Sequence, residues 1–361
     1  MAILTRRETL ELLGFGTVAF AATPTRALAQ TTFPTGAVIR TLFKDYAPEE
    51  LANGATLFHE HLSLGPDFSD RFRAAAAAVL AAQGEPPAPA RTGPPPAPPG
   101  PDPMRDVNLM AEELRKAQQD GVACLVDASL EGAGMDLNFI REAARKSGLP
   151  VVKGAGFYTQ PFYPKEVATL SEQQITRAIV AQADDYPAGA FGEIGSWDEI
   201  SALERRVFRA VGKAHLETNL PIFTHTGIPG KSAIEQLDIF EDAGVDPRRV
   251  AIGHLGNLND PKVYVQKTIC RRGAFVGFDR QGGRGDDQAV PLVMALLEAG
   301  FEDHILISGD AFRSYGRPLT VFLPKLKAAG ASDAILHKIT VDNPRRFLAF
   351  VPKRPRKAHA A

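Results

Sequence analysis

Leu220-Pro221-Ile222-Phe223-Thr224-His225 and Arg249-Val250-Ala251-Ile252-Gly253-His254 flank a helical stretch over residues 232–243. Each apolar run is too short for a helix, is bounded by turn residues, and ends in a histidine. A short apolar run, a helix and another short run form the unit of a parallel sheet, because parallel neighbours need a crossover. The unit repeats along the chain. Helical Val107–Gln119 precedes Val122–Asp127, Leu137–Lys146 precedes Leu149–Val152, Ser171–Asp185 precedes Ala190–Ile194, and Ile200–Thr218 precedes Leu220–His225. Farther on, Lys262–Arg272 precedes Ala274–Phe278, Ala289–Glu298 precedes His304–Ser308, and a last helix covers Leu319–Ala329. With Ala55-Thr56-Leu57-Phe58 at the front there are eight runs. Eight strand–helix units in one α/β domain predict a closed (β/α)8 barrel of the TIM type. An open doubly wound sheet is the competing arrangement, but no Gly-x-Gly-x-x-Gly follows the first run to support it. Upstream, Ala37–Phe43 reads as a short N-terminal β extension.

The active rim of such a barrel lies at the carboxyl ends of its strands. His59 and His61 follow run one, Glu193 lies in run four, His225 and His254 end runs five and six, and Asp310 follows run eight. Four imidazoles and two carboxylates, far apart in sequence, are therefore expected on one rim. Six such ligands exceed what one tetrahedral zinc ion takes and suit two divalent ions. His59, His61 and Asp310 would hold the first ion, His225 and His254 the second, and Glu193 would bridge them. Zn2+ fits these donors, as do Mn2+, Co2+ and Fe2+. Alternation along the strand turns Glu60 away from its two histidine neighbours, so it is expected to support the site rather than to ligate. His215, His304, His337 and His359 are expected to be structural or solvated.

Composition narrows the function. The chain has 361 residues, of which 44% are hydrophobic, enough for one large barrel. A net charge of −1 gives no argument for nucleic acid or an anionic membrane. Cys124 and Cys270 both sit in apolar runs, which predicts buried thiols rather than a disulfide or a thiolate metal site. Arg6-Arg7, an apolar stretch over residues 10–22 and Ala27-Leu28-Ala29 describe a twin-arginine export signal over residues 1–29, cleaved near Ala29. The apolar stretch is too short to span a bilayer, so a periplasmic location without stable membrane insertion is expected. The barrel is then expected over 30–352, followed by a basic tail over 353–361. Within it, residues 84–103 are dense in Pro, Gly and Ala and predict an unpacked surface insertion.

With these positions in place, the sequence from Gly36 to Phe347 resembles the phosphotriesterase family of the amidohydrolase superfamily. The likeness is carried by His59-Glu60-His61, Thr224-His225-Thr226, Gly253-His254, Gly309-Asp310 and the closing Asn343-Pro344-Arg345-Arg346-Phe347. The resemblance implies a binuclear metal-dependent hydrolase that turns a metal-bridging hydroxide on a small-molecule ester, and a homodimer. Many members bridge their metals with a carbamylated lysine on the fourth strand. The matching residue here is Glu193, as in the branch called phosphotriesterase homology proteins, with Lys153 on the third strand as the alternative bridge. Arg280 stands where the phosphotriesterases proper carry a histidine, and Asn257 where they carry a second acid. Together with Tyr158, these changes resemble the lactonase-like branch and imply lactone or carboxyl-ester chemistry ahead of organophosphate hydrolysis. In that scheme Asp310 handles the proton, Tyr158 hydrogen-bonds the hydroxide or carbonyl oxygen, and Arg280 positions the ring or acyl group. A phosphotriesterase, a non-catalytic periplasmic metal- or ligand-binding protein, and an amidase or deaminase of the same superfamily are the competing readings.

Overall fold

A computed structural model of the chain describes residues 31–82, 100–227, 232–258, 260 and 262–357. The expected export signal, most of the Pro-rich insertion and the end of the basic tail with His359 lie outside the described residues. By its contacts the chain divides into Met1–Thr31 and a second compact unit, Thr32–Ala361, which holds every element below.

The expected N-terminal strand is shorter than its apolar run. Only β1 (Ile39–Arg40) pairs, antiparallel, with β2 (Asp45–Tyr46). The Thr41 N–H and hydroxyl both donate to the Lys44 carbonyl and turn the chain back at that point. Val38 exchanges both backbone hydrogen bonds with Phe350, tying this extension to the C-terminal end of the barrel.

Eight strands follow: β3 (Ala55–Glu60), β4 (Val122–Asp127), β5 (Val151–Ala155), β6 (Ala190–Ser196), β7 (Ile222–Thr226), β8 (Val250–Ile252), β9 (Phe275–Phe278) and β10 (Ile305–Ile307). Each pairs in parallel with its neighbours in sequence order, so the sheet is singly wound and the fold is the (β/α)8 barrel. Every strand is buried along nearly its whole length, as expected when helices cover one face and side chains fill the other. Phe58, Cys124, Val126, Val152, Ala190, Phe223, Ala251, Phe275 and Leu306 pack into one apolar cluster inside the ring. Both cysteines are free and buried.

The last seam, between β3 and the chain leaving β10, closes by individual bonds rather than a regular ladder. The Asp310 N–H donates to the His59 carbonyl and the His61 N–H to the Ala311 carbonyl, each at 3.0 Å. The His59 N–H donates to Ser308 Oγ at 3.0 Å. The seam thus lies at the carboxyl rim and brings three site residues into adjacency.

Several helices begin where the sequence supplies caps. Asp106, Asp136, Ser171, Ser201 and Ser332 each accept a backbone N–H of the first turn. Ahead of the Pro-rich tract the alanine run forms the end of a helix, Phe68–Ala82. Packing resumes at residue 103: Pro103–Arg105 is a turn of 3-10 helix, with Pro103 and Met104 buried. No helix among the described residues is long and apolar enough to cross a membrane.

Candidate metal centre

Glu193 is the hub of the carboxyl rim. Its Oε2 lies 3.2 Å from His59 Nε2, 2.9 Å from His225 Nδ1 and 3.7 Å from His254 Nε2. Its Oε1 lies 3.2 Å from His61 Nε2. Asp310 Oδ1 faces His61 Nε2 at 3.1 Å and His59 Nε2 at 3.8 Å. The six residues singled out from the sequence therefore converge, contributed by five different strand ends. Two groups have ligand atoms all mutually within 4.8 Å: His59, His61 and Asp310, and His59, Glu193 and His254. His225 adjoins the second group through Glu193 and through His254 Nε2, at 2.8 Å from its own Nδ1.

Backbone geometry helps to aim these side chains. His254 and Asp310 have φ of 61° and 47°, a left-handed conformation uncommon outside glycine. Such conformations persist only where the surroundings impose them. Here the His254 N–H is held by Asp279 Oδ1 at 2.8 Å, and the Asp310 N–H by the His59 carbonyl. Gly253 must be glycine, since a Cβ there would stand 2.1 Å from the Thr224 carbonyl oxygen.

The sequence reading passed over Asp279. It is fully buried and accepts from both His59 Nδ1, at 2.9 Å, and His254 Nδ1, at 2.8 Å. With each Nδ1 proton committed to this carboxylate, each Nε2 keeps its lone pair and turns it toward Glu193. Burial alone would raise the Asp279 pKa, but the two imidazoles outweigh it and hold the acid well below the usual carboxylate range. An acid two residues past the glycine of the seventh run, in Gly277-Phe278-Asp279, was the available signal. Asp279→Asn can accept from only one imidazole, and is expected to cost about 10- to 100-fold in metal affinity, the usual effect of losing such a partner. Competition with a chromogenic chelator measures it.

Glu60 turns away from the histidines, as expected. Its carboxylate accepts from Ser308 Oγ and the Gly309 N–H, both at 2.7 Å, and from the Ala311 N–H at 2.8 Å. It thereby grips the turn that carries Asp310. Burial, outweighing those bonds, pushes its pKa up to about 7.

Tyr158 is buried, with its hydroxyl 3.1 Å from His225 Nδ1. Burial first, then Glu193 and Asp310, push its phenol well above its ordinary pKa, so it stays a donor. Arg280 Nε donates to Asp310 Oδ2 at 3.0 Å. The charge of Lys153 is met locally: it lies 3.1 Å from Asp127 Oδ2 and donates to the Ser129 and Gly154 carbonyls. His215 and His304 bond the Leu220 and Ala274 carbonyls, and His337 lies 3.8 Å from Asp342. The Asn257 side chain lies outside the described residues.

A profile of the phosphotriesterase family matches residues 46–348. The chain belongs to the phosphotriesterase family. It is 30% identical over 259 residues to the phosphotriesterase homology protein of Escherichia coli, covering 66% of this chain and 88% of that one. It is 29% identical over 266 residues to an aryldialkylphosphatase of Saccharolobus solfataricus, covering 66% and 84%. It is 24% identical over 276 residues to the human N-acetyltaurine hydrolase, covering 68% and 78%. Among solved structures, a resiniferatoxin-binding protein of Rhodobacter sphaeroides aligns with a TM-score of 0.73 and 27% identity, over 87% of this chain and 95% of that one. Phosphotriesterase-family relatives are hydrolases that act on small molecules, and the family is binuclear and metal-dependent.

The residues present fit that metal requirement. His59 Nε2 is buried without a hydrogen-bond partner. His225 Nδ1 is faced by Glu193, His254 and Tyr158 together, more partners than one lone pair or one proton can serve. Protons meet this crowding unevenly. Against burial, Asp310 and Glu193 hold His61 at about 9, whereas burial and the neighbouring His254 push His225 down to about 4. The set has more ligand atoms than protons can satisfy, and shared divalent cations would satisfy it.

Proposed function

We propose that this phosphotriesterase-family chain is a hydrolase of ester bonds in small molecules, with lactones or carboxyl esters its favoured substrates. The convergence of His59, His61, Glu193, His225, His254 and Asp310 on one rim carries the reading. His59, His61 and Asp310 would hold one ion and His225 and His254 the other, with Glu193 between them. Bound there, two divalent ions of Zn2+ type would supply Lewis acidity and an activated water near neutral pH.

The chain's own residues do the rest. Asp310 accepts the proton of the attacking water and passes it to the leaving group. Arg280, on Asp310 Oδ2, fixes the orientation of that carboxylate and leaves Oδ1 toward His61. Burial raises the Asp310 pKa, but His61, His254 and Arg280 outweigh it and keep the group ionised. Tyr158 donates its hydroxyl to the substrate's carbonyl oxygen. Tyr158 beside His225, and an arginine rather than a histidine at position 280, support lactone or carboxyl-ester chemistry ahead of phosphotriester chemistry. The Arg6-Arg7 stretch supports export to the periplasm, and the family resemblance supports a homodimer.

The zinc-loaded protein should be assayed on lactones, aryl carboxyl esters, N-acyl amino acids and organophosphates. The expected outcome is the highest kcat/KM on a lactone or carboxyl ester. Turnover confined to the amides or the organophosphates would overturn the ester assignment. The neighbouring resiniferatoxin-binding protein supports a second reading, a ligand-binding protein without turnover, which would hydrolyse none of them.

A further inference from the structure

Most of the metal centre is polar, but its His225 side is walled by aromatic rings. Tyr158, Phe72 and Trp197 meet the His225 ring edge-on, with centroids at 4.9, 6.3 and 6.5 Å. Phe72 and Trp197 lie 5.4 Å apart, and Phe68 continues the set toward Phe162. Phe68 and Phe72 come from the helix Phe68–Ala82, one turn apart on the face that lies against the rim. Both are half-buried, as is Trp197, whereas Ser69, Asp70 and Arg73 on the other face are exposed. The next residues on that helix, 74–78, are all alanine, so Phe72 is the large side chain that this helix brings to the His225 ring.

We propose that Phe72 and Trp197 form a subsite for an apolar group of aryl size carried on the acid half of the substrate. Two observations lead there. The wall is continuous with the centre through His225. Its rings keep part of their surface open beside a cluster of charged side chains. An apolar ligand group of aryl size would cover that surface, whereas a small acyl group has no ring to lay on it. The acid half is the relevant half, because the carbonyl carbon that is attacked and the carboxylate formed there belong to it. The proposal takes its substrate chemistry from the ester reading, but its test does not depend on turnover.

Trp197 is the chain's single tryptophan, so its emission reports on this wall alone. The zinc-loaded full chain should be titrated with phenylacetate and, separately, with acetate. Phenylacetate is expected to change the Trp197 emission saturably, and acetate at the same concentrations is not. Phe72→Ala should weaken phenylacetate about tenfold, and Phe72→Leu, which keeps bulk without the ring, by less. Thermal melting confirms that both variants are folded. Equal responses to the two acids, or unchanged phenylacetate affinity in both variants, would overturn the subsite. A protein that binds phenylacetate through Phe72 yet hydrolyses no ester would instead refute the hydrolase reading and leave the subsite standing.

Discussion

Glu193→Gln is expected to reduce kcat/KM by about a thousand-fold or more, the several kcal/mol that a correctly held metal pair contributes to a hydrolytic transition state. The substitution keeps the shape of the side chain and its place in β6. It removes the negative charge that faces His59, His61, His225 and His254. That charge is firmly held: burial would raise the Glu193 pKa, but His59 and His225 outweigh it and keep the acid well below the usual carboxylate range. With glutamine in its place, the imidazoles face an amide that can offer only one neutral acceptor. The variant should remain folded, because the interior cluster of Phe58, Val126, Phe223 and Leu306 is untouched. Steady-state kinetics beside a thermal melt check both halves of the statement. Activity retained within a few-fold would mean that Glu193 does not bridge.

The second large effect is expected from Asp310→Asn. Here the isostere keeps the bond to Arg280 possible but cannot take a proton. A general acid–base group contributes about 10²- to 10⁴-fold, and kcat should fall within that span. The same variant separates a catalyst from a binder. In a catalyst turnover collapses while affinity for a product-like carboxylate changes little. In a ligand-binding protein nothing that matters is lost. Measuring kcat and ligand affinity on one preparation gives the answer.

The sequence was most informative where chemistry coincides with periodicity. Val122–Asp127 and the helix Val107–Gln119 have the expected bounds. The eight runs fall into the order of the eight parallel strands, because each strand is buried on both faces and reads as a continuous apolar run. The site histidines were legible because they stand at the ends of those runs.

What was not legible depends on pairings between distant residues. Glu60 could be seen to turn away from the two histidines, but not to hold the Ser308–Ala311 turn some 250 residues later. Asp279 was hidden beside Arg280, the residue whose identity departs from the family's histidine, and only the closed ring shows it between His59 and His254. The alternation argument itself was too simple. The register of β3 against β4 shifts between Leu57 and Glu60, and the adjacent residues Phe58 and His59 serve the apolar interior and the rim respectively. The alanine run gave no hint that, of the two phenylalanines ahead of it, Phe72 lies over His225 and Phe68 over Tyr158.

Metal content measured by mass spectrometry on the purified chain, after chelation and reloading, tests the central claim most directly. The account predicts about two divalent ions per chain for the parent protein, and one or fewer for Glu193→Gln. A ratio near zero in the reloaded parent, or the same ratio in both proteins, would contradict it.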